Sequence, residues 1–547
     1  MSFSRRNFIQ SLGFTAAGLS VSGCAVAAKN EETDNGEQLL HVGDEIAVAT
    51  TQYGKVRGFE MQGIKTFLGI PYGADTSGKN RFMPPQKPAS WTDVRPALWW
   101  GNTAPQIMDN RYANVYASFI DHWNYDDVSE DCLRINVWTP ATDSKKRPVL
   151  VWLHGGGYTN GNAIEQDGYH GENIARLGDL VFCSINHRLG PIGYSDLKAA
   201  GGSAASGNVG NLDMVAALEW VRDNIANFGG DASNVTIMGQ SGGGSKVTTL
   251  MNMPAAKGLF HKAVVLSGGS LEGQNKDYAE KLGLQIMKVA GLKVGEIDKL
   301  QSLSWREYID IANKAVEAMK PEEEKYAISR GGFAPVGDGE FLKDGSFFQE
   351  ADHFSADIPL MICSTFNEFS PSRSDSSLEK VSLEEVKEKI EPRFGEKSGA
   401  IVDAYAKNFP EAKPVELWSM ILSNRQRVVS IADAKSSQSS TPVYLAWYGW
   451  QPPLFDNRMR AFHCDDICFW FYNTDRMLTH TGGGKRPKAL SEKMAKSLIS
   501  FMQKGDPNGG GLPTWTPYSK ENGETMILDD EPELLNDPDR EARKSLA

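Results

Sequence analysis

The stretch Val235–Gly244, VTIMGQSGGG, is the strongest indication of the fold class of this chain. The short apolar run VTIMG leads into Gly239-Gln240-Ser241-Gly242-Gly243, and a helical pattern follows. A G-x-S-x-G motif between a strand and a helix is typical of a nucleophilic serine held in a tight turn at the carboxyl edge of a sheet. Small residues beside Ser241 permit that turn. The amino end of the following helix favours developing negative charge.

The glycines around Ser241 fit neither of the common phosphate-binding patterns. A P-loop needs Gly followed directly by Lys and then Ser or Thr, whereas here Ser245 precedes Lys246 and Val247 follows it. A dinucleotide fingerprint needs its last glycine at the position that Val247 occupies. A plain glycine-rich turn is therefore the alternative to a nucleophile turn.

Short apolar runs alternate with helical patterns along most of the chain. The runs are PVLVWL, LVFCSIN, VTIMG, KAVVLS, IPLMICS and VYLAWYGW, and helical patterns cover 211–228 and 490–503. Continuous apolar strands separated by helices are typical of a mostly parallel sheet with helices on both faces, which predicts the α/β fold class. Two long stretches, 271–357 and 369–441, interrupt this order, and we expect them to be helical insertions that wall a pocket.

A second glycine motif, His154-Gly155-Gly156-Gly157, follows the run PVLVWL. Consecutive glycines after a strand can turn their N–H groups toward one point, which is what stabilises an oxyanion. Alone this run fits a flexible loop equally well. HGGG after one strand and G-x-S-x-G after a later strand are together much more specific for a serine hydrolase.

A nucleophilic serine needs a base and an acid that orients the base. Four histidines follow Ser241 in the chain: His261, His353, His463 and His480. His463 and His480 both follow the last clear strand, VYLAWYGW, and the loop that holds His463 comes directly after it, so position favours His463 as the base. The acid should follow the strand IPLMICS, where Glu368 is the first carboxylate and Asp375 is the alternative.

A series of ordered blocks makes the chain resemble a type-B carboxylesterase, in the bacterial branch of the cholinesterase-like α/β-hydrolases. The blocks are TFLGIPYG, SEDCLRINVWTP, VWLHGGGY, SINHRLGPIGY, GNVGNLDMVAALEWVRDNIANFGGD, VTIMGQSGGG, GLFHKAVVLSGGS, AFHCDDICFWF and KGDPN. The resemblance runs from about Val48 to Leu528. It implies an α/β-hydrolase fold and hydrolysis of carboxylic esters through Ser241 as nucleophile, Glu368 as acid and His463 as base. No metal or organic cofactor is needed for this chemistry.

The resemblance also implies an oxyanion hole formed by the backbone N–H groups of Gly156, Gly157 and Gly242. Two departures from the family pattern flank the nucleophile. Gln240 stands where the family usually has Glu, and Gly242 stands where it usually has Ala. Neither change alters the three residues that are expected to react.

Cysteine usage does not indicate a disulfide scaffold. The chain has six cysteines: Cys24, Cys132, Cys183, Cys363, Cys464 and Cys468. In the resembled family the cysteine at position 132 usually pairs with an earlier cysteine, but here that earlier position is Ala104. The resemblance therefore implies that Cys132 is an unpaired, buried thiol.

The first residues are predicted to be an export signal. Ser4-Arg5-Arg6-Asn7-Phe8 and the apolar stretch after it resemble a twin-arginine signal. Val21-Ser22-Gly23-Cys24 resembles a bacterial lipobox, which makes Cys24 the lipidated first residue; the alternative is a plain signal cut near Ala27 or Ala28. We expect a signal at 1–23, a tether at 24–40 and one carboxylesterase domain at 41–547. The protein should be lipid-anchored in the bacterial cell envelope, facing the periplasm or the exterior.

Composition excludes several other classes of protein. Of 547 residues, 40% are hydrophobic and 23% charged, as in soluble globular proteins, and the net charge of −12 disfavours non-specific binding to nucleic acid. After the signal no run reaches the roughly 18 apolar residues of a membrane-spanning helix. We therefore expect a small-molecule ester as partner, no nucleic acid, and membrane contact through the lipid anchor only.

Two alternatives to the esterase remain at this point. The same site could hydrolyse amides or carbamates, because acyl transfer to a serine is common to all three reactions. A catalytically inactive cholinesterase-like binding or adhesion protein is the other alternative. The presence of Ser241, Glu368 and His463 together argues against it.

Overall fold

The structure, a computed structural model, describes residues 38–107, 119, 127–323, 331–351, 353–423 and 425–546. Residues Leu40–Ala547 form one compact unit. The predicted signal, Cys24 and most of the predicted tether lie outside the described residues. Within the described ranges, no helix combines the length and the apolar character needed to cross a bilayer.

The strands of the described ranges are β1 (Leu40–His41), β2 (Val48–Thr51), β3 (Gly54–Arg57), β4 (Phe59–Met61), β5 (Ile64–Pro71), β6 (Arg95–Pro96), β7 (Arg134–Thr139), β8 (Arg147–Leu153), β9 (Val181–Ile185), β10 (Gly230–Gln240), β11 (Lys262–Leu266), β12 (Leu360–Thr365), β13 (Val443–Tyr448), β14 (Glu524–Leu528) and β15 (Glu533–Asn536). They form a twelve-stranded sheet in the order β1-β4-β5-β7-β9-β8-β10-β11-β12-β13-β14-β15 and a small sheet of β2, β3 and β6. Neighbouring strands from β9 to β14 are parallel, and the pairs outside them are antiparallel.

The central part of this sheet confirms the predicted α/β fold with a mostly parallel sheet. Each of the six apolar runs in the sequence becomes one of the parallel strands, within two residues at most boundaries. β10 is the exception, since it begins at Gly230, five residues before the run VTIMG. The antiparallel strands at the two ends of the sheet were not predicted.

The helices of the described ranges are α1 (Glu172–Gly178), α2 (Gly190–Tyr194), α3 (Val209–Asn224), α4 (Gly242–Leu250), α5 (Lys276–Val289), α6 (Ile297–Ser302), α7 (Trp305–Glu323), α8 (Leu383–Phe394), α9 (Ser398–Asn408), α10 (Pro414–Ile421), α11 (Arg425–Gln438), α12 (Ile467–Trp470), α13 (Leu478–Thr481), α14 (Lys485–Lys504) and α15 (Arg540–Lys544). The two long insertions are helical as expected, with α5–α7 in the first and α8–α11 in the second.

Alternation along the central strands separates two apolar cores. In β8, Val149, Val151 and Leu153 belong to the core that α3 and α11 cover, whereas Leu150 and Trp152 belong to the core that α1 and α14 cover. Successive side chains of a strand point to opposite faces, so a continuous apolar run fills both cores at once. The sheet is thereby a rigid support for whatever lies at its edges.

Parallel strands place their following loops at one edge of the sheet. The HGGG loop follows β8, Ser241 follows β10, Glu368 follows β12 and His463 follows β13. Residues that are far apart in sequence therefore meet at the carboxyl edge. The insertions between β11 and β12 and between β12 and β13 leave the sheet at this same edge.

Cys132 is unpaired and fully buried, as the substitution of its usual partner by Ala104 implies. Cys183, Cys363 and Cys468 are likewise buried and unpaired. Burial raises the pKa of the Cys132 thiol far above its usual value, because the apolar surroundings disfavour the thiolate. The fold is thus held by its cores, and no disulfide stabilises the described part of the chain.

Candidate active site

Ser241 occupies the turn between β10 and α4 in a strained conformation. Its φ of 57° and ψ of −121° lie outside the regions that a residue with a side chain ordinarily adopts. The backbone on either side holds it there: its N–H donates to the Leu266 carbonyl at 2.8 Å, and its carbonyl accepts from the Ser245 N–H at 3.1 Å. The turn therefore presents a half-exposed hydroxyl at the carboxyl edge of the sheet.

The glycines of the G-x-S-x-G motif are required by packing. A Cβ on Gly239 would lie 2.4 Å from the backbone of Gly243, and a Cβ on Gly243 would lie 2.0 Å from the carbonyl oxygen of Leu153. Carbon and oxygen atoms do not approach this closely without displacement of the backbone. The first turn of α4 can therefore lie against the end of β8 only because both positions lack a side chain.

Glu368 and His463, the predicted acid and base, are in direct contact. His463 Nδ1 lies 2.5 Å from Glu368 Oε2, and the His463 N–H donates to the Glu368 carbonyl at 2.9 Å. The carboxylate is completely buried and also accepts from the Thr365 N–H at 3.1 Å, whereas 18% of the His463 side chain is exposed. A carboxylate at Nδ1 favours the tautomer that carries its proton there. Nε2 is then left as the basic nitrogen.

Gln240 joins this pair to the nucleophile turn. Its Nε2 lies 3.2 Å from Nε2 and 3.3 Å from Nδ1 of His463, and its Oε1 accepts from the Cys464 thiol at 3.3 Å. The imidazole is thus packed on the side chain that immediately precedes Ser241. The sequence analysis did not predict the hydrogen bond between Cys464 and Gln240. Its one indication in the sequence is that Gln240 stands where the resembled family usually has Glu.

The three glycines predicted to form an oxyanion hole lie together. The N, Cα and O atoms of Gly157 lie within 2.4 Å of the point where a Cβ on Gly242 would stand. Gly156 and Gly157 have φ values of +79° and +65°, which turn successive peptide groups in a way that favours glycine. Within the described ranges, the N–H groups of Gly156 and Gly157 donate to no protein acceptor. They are therefore available to a bound oxygen atom.

Two fully buried carboxyl groups follow the base in the chain. Burial, reinforced by the charge of Glu368, raises the pKa of Asp466 to about 7, and burial also holds the pKa of Asp465 well above its usual value. Trp470 Nε1 donates to Asp466 at 3.2 Å, and the Tyr448 hydroxyl donates to Asp465 at 3.0 Å. Well below pH 7 Asp466 is therefore neutral. In the described ranges, no cluster of His, Cys, Asp and Glu is arranged to hold a metal ion.

Phe369 forms an exposed aromatic wall beside the base. Its ring stacks on the imidazole of His463 with 5.3 Å between the centroids and 29° between the planes, and 61% of the residue is exposed. The Ser419 hydroxyl donates to the Phe369 carbonyl at 2.9 Å, which ties this wall to α10. A flat apolar group bound next to His463 would cover the ring.

The alternative acid and bases make other contacts. Asp375 is exposed and accepts from the Ser377 N–H at 3.0 Å, in a local turn. Of the histidines, His261 accepts from the Val235 N–H at 3.1 Å, His353 accepts from the Ser355 N–H at 3.3 Å, and His480 packs edge-on against Phe462 at 5.0 Å. The geometry therefore brings together Glu368 and His463, the pair that position in the sequence favoured.

Comparisons with known proteins show the family to which the chain belongs. The model of the carboxylesterase family matches residues 45–545. The para-nitrobenzyl esterase of Bacillus subtilis (strain 168) is 33% identical over 508 residues, which cover 91% of this chain and 98% of the relative. The solved structure of the Geobacillus stearothermophilus carboxylesterase EST55 is 30% identical, has a TM-score of 0.75, and is matched over 92% of this chain and 100% of its own. An esterase from Clostridium hathewayi, described as hydrolysing aliphatic aromatic polyesters, is 31% identical with a TM-score of 0.76 over 93% and 99% of the two chains.

Proposed function

We propose that this chain, which belongs to the carboxylesterase family and is a carboxylic-ester hydrolase, acts through Ser241, His463 and Glu368 by way of an acyl-enzyme. The observation that carries the proposal is the contact between His463 and Glu368 at 2.5 Å on a histidine that packs against the residue preceding Ser241. The HGGG loop lies at the same turn, beside Gly242. Nucleophile, base, acid and oxyanion donors are thus assembled at one edge of the sheet.

The reaction proceeds in two halves. Ser241 Oγ attacks the ester carbonyl carbon while His463 Nε2 takes the hydroxyl proton, and the N–H groups of Gly156, Gly157 and Gly242 stabilise the resulting oxyanion. The intermediate then expels the alcohol, which receives its proton from His463. Water attacks the acyl-enzyme with the same histidine as base, and the carboxylic acid leaves. Glu368 keeps the imidazole oriented and stabilises its charged form throughout.

The preferred substrates are uncharged esters with an apolar, flat group. The side chain before the nucleophile is the neutral amide of Gln240, so it offers no negative charge to a cationic substrate. The exposed ring of Phe369 beside His463 offers apolar contact area instead. The names of two relatives, a para-nitrobenzyl esterase and an esterase acting on aliphatic aromatic polyesters, support the same substrate class.

We also propose that the enzyme is exported by the twin-arginine route and anchored in the cell envelope by lipid on Cys24. Support comes from the Arg5-Arg6 pair and from the lipobox that ends at Cys24. An exported esterase would meet its substrates outside the cytoplasm.

Substitution of the nucleophile tests the proposed mechanism. Ser241→Ala should lower kcat for p-nitrophenyl acetate by about 10⁴-fold to 10⁶-fold, because members of a triad act as a unit. Ser245→Ala, one turn later on α4, is the matched control and should retain activity. A Ser241→Ala enzyme that keeps a tenth of the wild-type kcat would show that another residue is the nucleophile. A panel of matched esters, amides and carbamates measures the preference of the same site.

A further inference from the structure

Lys246 is a completely buried lysine that the reaction described above does not use. It lies on α4, five residues after Ser241, and its Nζ donates to the carbonyl oxygen of His154 at 2.8 Å. Burial lowers the pKa of its ammonium group to about 7, because the interior disfavours the charged form. Burial of an ammonium group is unfavourable for folding, and the hydrogen bond to the His154 carbonyl offsets part of that cost.

The acceptor of this bond is the point where the glycine loop begins. His154 immediately precedes Gly155–Gly157, and its carbonyl belongs to the same planar peptide unit as the N–H of Gly155. A donor fixed on α4 therefore sets the orientation of the first peptide plane of the loop. The backbone contact of Gly243 with Leu153 and His154 fixes the same point from the preceding turn of the helix.

The surroundings of Lys246 supply one opposing charge and two neutral rings. Glu165 is buried, accepts from the Tyr169 hydroxyl at 2.8 Å, and its charge favours the ammonium form of Lys246. The rings of His154 and His187 stack with 5.1 Å between centroids. Burial, together with the charge of Lys246, lowers the pKa of both imidazoles well below the usual value, so both rings are neutral. The ammonium group is thus held beside the loop without a competing cation.

We propose that Lys246 is a positioning residue for the oxyanion hole: its Nζ donates to the His154 carbonyl and so keeps the N–H groups of Gly156 and Gly157 beside Gly242. The inference rests on the proposed function, because it assigns a role to the same glycine loop. Lys246 acts through the loop and does not touch the substrate. Its removal should weaken transition-state stabilisation and leave ground-state binding almost unchanged.

Lys246→Met tests this proposal, because methionine has a similar length and no hydrogen-bond donor. We expect kcat for p-nitrophenyl acetate to fall by about 10-fold to 100-fold with KM changed less than about threefold, the pattern of a lost transition-state interaction. Affinity for a trifluoromethyl ketone, which forms a tetrahedral adduct with the nucleophile, should fall by a similar factor. Loss of stability alone would lower the apparent kcat at unchanged KM by reducing the amount of folded enzyme, but it would leave the affinity of the folded enzyme for the ketone unchanged, so the ketone affinity separates the two causes.

Lys435→Met is the matched control. Lys435 is also completely buried, its Nζ donates to a single backbone carbonyl, that of Ala356, at 3.0 Å, and burial lowers its pKa to about 8. Ala356 precedes β12, so this contact lies at the amino edge of the sheet, opposite the candidate site. The control removes the same kind of bond and should lower thermal stability while kcat and ketone affinity stay at the wild-type values.

Three results would overturn the proposal. The first is a folded Lys246→Met enzyme with wild-type kcat and ketone affinity, and the second is an equal loss of kcat in both lysine variants. If Lys246→Met does not fold, Lys246→Gln takes its place, because glutamine keeps a neutral hydrogen-bond donor. Its kcat should be higher than that of any variant with an apolar residue at position 246 that does fold. Equal kcat in these two variants is the third result that would overturn the proposal. Failure of the proposed function is distinguishable, because it would appear as activity in Ser241→Ala.

Discussion

At the level of single residues, the absence of a side chain at Gly242 allows the Gly157 loop to lie directly against the turn that follows Ser241. The backbone of Gly157 occupies the space where a Cβ on Gly242 would stand, with contacts of 2.3–2.4 Å. The family usually carries alanine at this position. In this chain an added methyl would have to displace the glycine loop, because no flexible side chain is there to move instead.

Gly242→Ala should therefore impair catalysis although it introduces the residue usual in the family. We expect kcat to fall by about 10-fold to 100-fold, since a displaced Gly157 N–H weakens one oxyanion contact. Steady-state kinetics on p-nitrophenyl acetate measure the effect. Gly399→Ala is the control, because a Cβ at that position on α9 meets no atom within 4 Å. Full activity in Gly242→Ala would show that the loop and the turn are not in contact in the working enzyme.

The neutral side chain of Gln240 is predicted to influence the pH dependence of catalysis through its contact with His463. Its Nε2 lies 3.2 Å from His463 Nε2, so Gln240→Glu would place a carboxylate against the imidazole. A nearby negative charge stabilises the imidazolium and raises the pKa of the histidine. Because the base must be neutral to act, the acid limb of the kcat/KM profile should move to higher pH. An unmoved acid limb would contradict the contact between Gln240 and His463.

The same residue bears on substrate charge. Without a carboxylate before the nucleophile, the wild-type enzyme should gain little from a quaternary ammonium group. Acetylcholine and its uncharged carbon isostere, compared by kcat/KM, test this expectation. A preference of about tenfold or more for the cation, equivalent to roughly 1.4 kcal/mol, would mean that another residue supplies a cation site.

Contacts between side chains that are far apart in the chain could not be predicted from the sequence. The prediction of Ser241 as nucleophile rests on a local motif, and the predictions of Glu368 and His463 rest on parallel strands that deliver their following loops to one edge of the sheet. The Cys464–Gln240 bond joins residues 224 positions apart, and neither local propensity nor spacing encodes it. Lys246 likewise reads as an ordinary helical residue until its burial and its acceptor are known.

At the level of the elements, the loop after β13 carries His463, the proposed base, and leads into α12 through two buried acids, Asp465 and Asp466. Asp466 has a pKa of about 7 when folded, against about 3.9 for an unperturbed aspartate. The folded state therefore binds a proton more tightly than the unfolded state does. The contribution of this group to stability is greatest below about pH 4, falls as pH rises, and levels off above about pH 7.

Asp466→Asn should remove this pH dependence. Asparagine keeps an oxygen that can accept from Trp470 Nε1, so the hydrogen bond survives while the titration does not. Between pH 5 and pH 8 the wild-type enzyme should lose on the order of 2 kcal/mol more of its free energy of unfolding than the variant loses. Denaturant unfolding of both proteins at the two pH values measures the difference. Parallel pH profiles would mean that Asp466 is ionised throughout.

The central strands could be predicted from the sequence, whereas the strands at the two ends of the sheet could not. β8, β11, β12, β13 and the second half of β10 are apolar runs buried on both faces, and such runs are visible in a sequence. β1, β4 and β15 are two to four residues long and only partly buried, so they carry no comparable pattern. Their antiparallel pairing depends on the edge strands already in place.

For the molecule as a whole, the predicted lipid anchor can be tested independently of the catalytic site. Cys24→Ala should release the protein into the soluble periplasmic fraction or leave its signal uncleaved, because the residue that would carry the lipid is gone. Fractionation of cells with and without detergent distinguishes these outcomes from the wild type, which should stay with the membrane. Wild-type protein that is wholly soluble without detergent would contradict the lipobox prediction and leave the catalytic assignment unaffected.

We propose that one serine, Ser241 at the turn after β10, forms the acyl-enzyme. Labelling of the folded protein with a fluorophosphonate, followed by peptide mass spectrometry, tests it most directly. We predict one label per chain, on the peptide that contains Ser241, with loss of esterase activity in proportion to labelling and no label in Ser241→Ala. A label on a different residue, or full activity in the completely labelled enzyme, would contradict the assignment of Ser241 as the nucleophile.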